Sequence, residues 1–183
     1  MSSLSEEEQE AIGVVGQVLP FKANNYVVEQ LIDWNNVPND PIYTLTFPRK
    51  EMLSEENYIA VRDLLHSNDE AGLKKKVFDI RMSLNPNPAG QESNVPSIED
   101  IKLHGMQHKY RETVLFFPSQ GQTCHAYCTF CFRWPQFSGM NELKFAMKEA
   151  NLLQDYLRQH PDVTDVLFTG GDPLTAKTSI MAA

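Results

Sequence analysis

Apolar positions in the first half of the chain recur at helical spacing. After Ser54, the residues Tyr58, Val61, Leu64 and Leu65 step by three and four and predict a helix, and a second helical pattern runs from Asp69 to about Leu84. The two are expected to pack as a pair. Nearer the start, Ser5 and Glu8 have capping-box spacing, so a short acidic helix is expected to begin there, and another is expected to follow Asn25, from Tyr26 to Trp34. Between Asn35 and Arg49, Pro38, Pro41 and Pro48 each bias the preceding residue away from helix, and the stretch reads as an extended connector.

The pattern changes after Leu84. Asn85 to Glu99 holds Pro86, Pro88, Gly90 and Pro96 among serines and asparagines, which marks a domain boundary. The reading is a helical leader over 1–84, a linker over 85–100 and a second module over 101–183. In that module Thr113 to Phe117 is a β-branched and aromatic run, and a cysteine loop follows. Leu143, Ala146, Ala150, Leu153 and Leu157 then repeat at helical spacing, and Val163 to Thr169 reads as a second strand. That order is β-α-β, and a right-handed crossover makes the strands parallel. The fold class is therefore α/β. A parallel sheet does not stop after two strands with both faces covered, so the chain is expected to be the amino-terminal piece of a longer protein. Its last residues, Ile180 to Ala183, look like the first turns of a further helix.

Charge narrows the classes of function. The 24 acidic and 16 basic side chains leave a formal charge of -8, which repels nucleic-acid phosphates and anionic lipid surfaces. Neither nucleic acid nor membrane is expected as a partner. The opening ten residues are acidic and polar, Glu6 to Glu10 reading as a solvated helix face, and no window approaches the roughly 18 apolar residues of a membrane span. A cytoplasmic location is expected. The chain's 3 cysteines, Cys124, Cys128 and Cys131, lie within one short loop, an odd number that suits free thiolates in a reducing compartment better than a disulfide framework.

Thiolates are soft ligands suited to iron-sulfur clusters, and three of them leave one iron of a cubane without a protein ligand. A structural zinc ion is the alternative, with His125 as a fourth ligand, although adjacent residues rarely both reach one tetrahedral ion. Incidental free thiols are the other. His104, His108 and His125 show no metal spacing and read as polar or surface histidines. Tyr127, Phe132, Trp134 and Phe137 read as packing residues. Gly170-Gly171-Asp172-Pro173 sits at the carboxyl end of the second strand, where sites of β/α folds gather and where glycines let backbone approach a ligand.

The Cys124, Cys128, Cys131 spacing, with Phe130 as the aromatic before the third cysteine, resembles the signature of the radical S-adenosylmethionine superfamily. The surrounding wording, His108-Lys109-Tyr110-Arg111, Cys131-Phe132-Arg133 and Leu167 to Pro173, narrows the resemblance to the lysine 2,3-aminomutase family. It implies a partial β/α barrel in which Cys124, Cys128 and Cys131 hold a [4Fe-4S] cluster whose open iron binds S-adenosylmethionine. Cleavage of that molecule to a 5′-deoxyadenosyl radical, by an electron from an external donor, is the implied chemistry. Phe130, Arg133, Gly170, Gly171 and Asp172 are the implied adenosylmethionine contacts, with Arg133 on its carboxylate and the glycine turn on its amino group. The implied reaction is isomerase chemistry, migration of an amino group between adjacent carbons of an amino-acid substrate. Lys109 and Tyr110 match positions that hold the phosphate of pyridoxal phosphate in that family. Where the family pattern has a further arginine near the strand, this chain has Thr113, and Pro118 to Thr123 differs by two residues in length. A radical enzyme that works without pyridoxal phosphate, and a non-catalytic module that keeps the cysteine loop, therefore stand beside the aminomutase reading. A homo-oligomer is compatible with all three.

Overall fold

Ser5 caps the first helix as its spacing predicts: its hydroxyl accepts from the Glu8 amide, and the Glu8 carboxylate accepts from the Ser5 amide at 2.7 Å. The computed structural model describes residues 4–84 and 92–181. The chain divides into two compact units, Met1–Pro86 with His125–Trp134, and Asn87–Cys124 with Pro135–Ala183. Helix and sheet are both present, as the α/β reading expects.

Unit one holds α1 (Glu6–Val18), α2 (Pro41–Thr46), α3 (Glu55–His66) and α4 (Glu70–Ser83). The helical period puts Ala11, Val14, Val15 and Val18 on one face of α1, where they are buried with Tyr58 and Val61 of α3 and Ile80 of α4. Burying each of these valine and isoleucine side chains contributes about 1.5–3 kcal/mol. Arg81 on α4 closes the end of α1, because its guanidinium donates to the carbonyls of Val18 at 2.7 Å and Gln17 at 3.1 Å. Those carbonyls have no partner within the helix, and a cation there complements its dipole. Tyr58 donates its hydroxyl to Glu10 across this core at 3.2 Å. A second apolar cluster gathers Val27, Ile32, Tyr43 and Phe47, with Tyr43 and Phe47 stacked at 4.7 Å between ring centres.

Unit two is built on a three-stranded sheet of order β3-β4-β5, where β3 is Met106–Tyr110, β4 is Thr113–Phe116 and β5 is Asp165–Phe168. A two-residue pair, β1 (Ser97–Ile98) with β2 (Ile101–Lys102), precedes it. β3 and β4 form an antiparallel hairpin with a bulge between His108 and Tyr110. β4 and β5 are parallel and in register, Thr113 opposite Asp165 and Phe116 opposite Phe168, as the β-α-β reading requires. The crossover carries α5 (Ala150–Gln159), whose Leu153 and Tyr156 are buried with Leu103, Met106, Val114 and Phe116. The Tyr156 hydroxyl lies 2.6 Å from His108 Nδ1, tying α5 to β3. A short α6 (Thr178–Met181) follows β5, and Ala182 and Ala183 of the expected closing helix lie outside the described residues.

Three elements differ from the pattern reading. The connector contains α2, because Pro41 stands at its first position, where a missing N–H costs nothing, and the Asp40 carboxylate caps the Tyr43 amide at 2.7 Å. The expected helix at Tyr26 to Trp34 is one π-helical turn, Val27–Leu31, closed by the Ile32 amide on the Val27 carbonyl. The crossover helix starts at Ala150 instead of Leu143. Met147 is spent on an extended contact, its amide donating to Phe117 at 3.0 Å and its carbonyl accepting from Ser119 at 2.9 Å. Gly105 makes room for that segment: its φ is +116°, and a side chain there would lie 2.5 Å from the Met147 nitrogen. The pattern reading also lacks β3 and its hairpin. Of the predicted linker, Asn85 to Gln91 lies outside the described residues, and Ser97 and Ile98 already belong to β1.

Two tests of unit one follow. Asp40→Ala removes the cap of α2 and an acceptor for the Asp33 amide at 3.2 Å, and should destabilise the protein by about 1–2 kcal/mol in urea unfolding. Burial, reinforced by Glu10, pushes the Tyr58 phenol up to about 12 from its ordinary 10.0. The unfolded chain then loses this proton first, so stability falls as pH rises from 10 towards 12. Wild type should lose more stability than Tyr58→Phe across that interval, and equal losses would refute the shift.

Candidate functional site

The predicted site residues fall in both units. In unit two, the parallel strands deliver two chain segments to the same end of the sheet: Phe117 to Cys124 leaving β4, and Thr169 to Pro173 leaving β5. Gly170 is buried with φ +110°, a backbone conformation that favours glycine. Gly171 is the tighter position, since a Cβ there would stand 2.5 Å from the Gly121 carbonyl and 2.5 Å from both the Thr123 nitrogen and oxygen. The turn is thus pressed backbone to backbone against the residues that lead directly into Cys124. The Asp172 amide donates to the Thr123 carbonyl at 2.7 Å, and the Thr175 hydroxyl reaches the Asp172 carbonyl at 2.7 Å. The Asp172 carboxylate turns forward and accepts from the Leu174 amide at 2.9 Å, so it acts as a cap for the turn after it.

In unit one, the loop His125–Trp134 is stitched to the leader through its main chain. The Tyr127 amide donates to the Lys22 carbonyl and the Thr129 amide to the Leu45 carbonyl, each at 2.8 Å, and the Thr129 hydroxyl donates to Thr44 at 3.0 Å. Within the loop the Cys131 amide donates to the Cys128 carbonyl at 3.1 Å, a tight turn that holds the two cysteines at fixed separation. Cys128 is exposed, and Cys131 and Cys124 are half-buried. Burial pushes the Cys131 thiol up, and Cys128 adds to the shift, while the Arg133 amide and guanidinium oppose it. Arg133 is buried, its guanidinium 5.0 Å from the Phe132 ring centre, and burial lowers its own pKa. Phe130 is 77% exposed, so it has a free aromatic face instead of a packing role.

Lys109 and Tyr110 end β3 at the hairpin bulge. The Lys109 ammonium lies 5.6 Å over the Tyr110 ring, and Tyr110 is 61% exposed. The pair presents a cation and a phenol to solvent. Among the described residues, no three His, Cys, Asp or Glu side chains converge as a ready-made metal site. The donor set of a cluster is nonetheless chemically apt: Cys128 and Cys131 stand on a short, main-chain-anchored loop with the buried Arg133 guanidinium in the same segment. The sequence assigns no role to Gly121, Gln122 or Thr123 singly; the signal within the segment is Gly121, a breaker three residues before Cys124.

No protein-family model matches the chain. Pairwise relatives do. A putative L-lysine 2,3-aminomutase of Aquifex aeolicus is 30% identical over 97% of this chain and 37% of its own length. An L-lysine 2,3-aminomutase of Bacillus subtilis is 25% identical over 98% of this chain and 30% of its own length, and that of Haemophilus influenzae is 34% identical over 50% of this chain and 25% of its own. By these relatives and its motifs, the chain falls in the radical S-adenosylmethionine class. Within that class it belongs to the lysine 2,3-aminomutase family. It spans about a third of the length of the curated relatives it matches, 37% and 30% for the first two. Among the described residues no helix is long and apolar enough to cross a membrane.

The contact at Gly171 can be tested directly. Gly171→Ala should force the 121–123 segment away from the turn, and the Asp172 amide should exchange with solvent at least about tenfold faster by hydrogen-deuterium exchange. Unchanged protection would show that the two segments are not pressed together.

Proposed function

We propose that the chain is part of a [4Fe-4S]- and S-adenosylmethionine-dependent radical isomerase of lysine 2,3-aminomutase type, acting on an amino acid and fed by an external one-electron donor. The observation that carries the reading is the Asp172 amide on the Thr123 carbonyl, 2.7 Å, which joins the glycine turn to the residue before Cys124. The glycine turn and the residue that leads into the first cysteine, a whole βα crossover apart in sequence, thereby meet within unit two. The full-length relatives named as aminomutases support the class of reaction.

Cys124, Cys128 and Cys131 are the proposed cluster ligands. When bound, the cluster supplies the electron that cleaves the sulfonium of adenosylmethionine and starts radical chemistry. Gly170 and Gly171 would offer backbone groups of their turn to the methionine amino group. Arg133 would bind the carboxylate, for which a buried, planar guanidinium is suited. Phe130, with its exposed ring, would border the ligand. Lys109 and Tyr110 would hold the phosphate of pyridoxal phosphate in this reading. Thr113, where the family pattern has an arginine, favours a second one, in which the rearrangement proceeds without pyridoxal phosphate.

Anaerobic reconstitution of the chain with iron and sulfide tests the proposal. The expected product is brown, binds about four irons per chain, and bleaches on reduction with dithionite. With adenosylmethionine it should form 5′-deoxyadenosine, and Cys124→Ala, Cys128→Ala or Cys131→Ala should each abolish both iron retention and that product. A colourless, iron-free protein after reconstitution would overturn the reading.

A further inference from the structure

The segment Pro118 to Thr123 has a structural task that the proposed function leaves unassigned. Beyond Phe116 and Phe168 the parallel ladder of β4 and β5 ends, and the chains diverge. At that point the Gln122 side chain enters between them. Its Nε2 donates to the Pro118 carbonyl at 2.8 Å and to the Thr169 carbonyl at 3.1 Å. An amide nitrogen carries two hydrogens, so both acceptors are satisfied by one group. A side chain here takes the place of the next rung of the sheet.

Two further facts fix the orientation of this amide. Turning it over would set Oε1 against two carbonyl oxygens, so the acceptors decide which way it faces. Oε1 is then left buried without a hydrogen-bond partner, a cost that a residue serving only to fill space would avoid. The amide also lies where a side chain of residue 170 would be, since a Cβ on Gly170 would collide with Gln122 Oε1 and Nε2. Gly170 and Gln122 are therefore a matched pair. Immediately after Gln122, the Thr123 carbonyl accepts from the Asp172 amide at 2.7 Å.

We infer that Gln122 is a positioning residue: by bridging the Pro118 and Thr169 carbonyls, it sets the place of the Gly170-Gly171-Asp172 turn and so governs binding of the adenosylmethionine amino group. The last step rests on the proposed function; the bridging itself does not. Gln122→Met keeps the length and most of the volume while removing both donors.

The experiment has two arms. In the metal-free protein, hydrogen exchange followed by NMR should show the wild-type Gln122 side-chain amide exchanging at least about tenfold more slowly than a free glutamine. Gln122→Met should speed exchange of the Asp172 amide by roughly tenfold and leave that of Thr129, anchored on Leu45 in the other unit, unchanged. A wild-type Gln122 amide that exchanges freely, or an Asp172 amide equally protected in the variant, would overturn the inference. In the reconstituted protein, Gln122→Met should retain the iron content of wild type but bind adenosylmethionine roughly tenfold more weakly, read from the change that the ligand causes in the electron paramagnetic resonance of the reduced cluster. Equal affinity would overturn the positioning role. If wild type itself shows no such change, the proposed function fails, and the metal-free arm alone decides the fate of the Gln122 bridge.

Discussion

Everything in the second unit that bears on function depends on one close approach, that of the Gly171 backbone to Gly121 and Thr123. A single methyl group at residue 171 would fill the space in which the two segments meet. The approach is set up by ordinary sheet physics. In-register parallel pairing of β4 with β5 brings their carboxyl ends out at the same level, as it does in open α/β sheets generally. What is particular to this chain is how the ends are then held. A glutamine amide closes the gap between two carbonyls, and the backbone of the turn closes on the segment that enters the cysteine loop.

The cysteine loop has a different kind of support. Residues His125–Trp134 belong with the helical leader, held by amides of Tyr127 and Thr129 on the carbonyls of Lys22 and Leu45. Main-chain bonds of this kind do not depend on the identity of the loop's side chains. They leave Phe130 and the thiols free for other work while fixing the path that carries them. The leader is therefore a scaffold for two of the cysteines, although its own sequence has no residue that suggests chemistry.

Legibility in the sequence followed the strength of the local signal. Ser5 with Glu8, the α3 and α4 patterns, and the parallel relation of the two strands were all readable, because each rests on periodicity, on a cap, or on the handedness of a crossover. The differences have local and long-range causes. Pro41 reads as a breaker, yet Asp40 before it makes it a helix starter. Leu143 and Ala146 fit a helical period, yet Met147 was claimed by hydrogen bonds to Phe117 and Ser119, a long-range demand that no window of sequence displays. β3, with His108 and Lys109 on it, lacks the run of β-branched residues that marks β4. At the site, the cysteine spacing and the glycine turn stood out as patterns. Gln122 did not, because a bridging amide has no sequence signature, and only the two carbonyls it meets give it meaning.

The sheet also contains two pairings of very different reach. β3 and β4 are joined by a tight hairpin, with Tyr110 opposite Thr113, whereas β4 finds its other neighbour in Asp165, opposite Thr113 on the far side of the entire cysteine loop and crossover. Loop-closure entropy grows with the logarithm of the intervening length, so the second pairing costs about 2–3 kcal/mol more to close than the first. The glycine turn and its glutamine bridge exist only after that costlier closure. The most local part of this sheet is thus the part with the least chemistry on it, and the turn that carries the functional argument stands at the end of its longest-range contact.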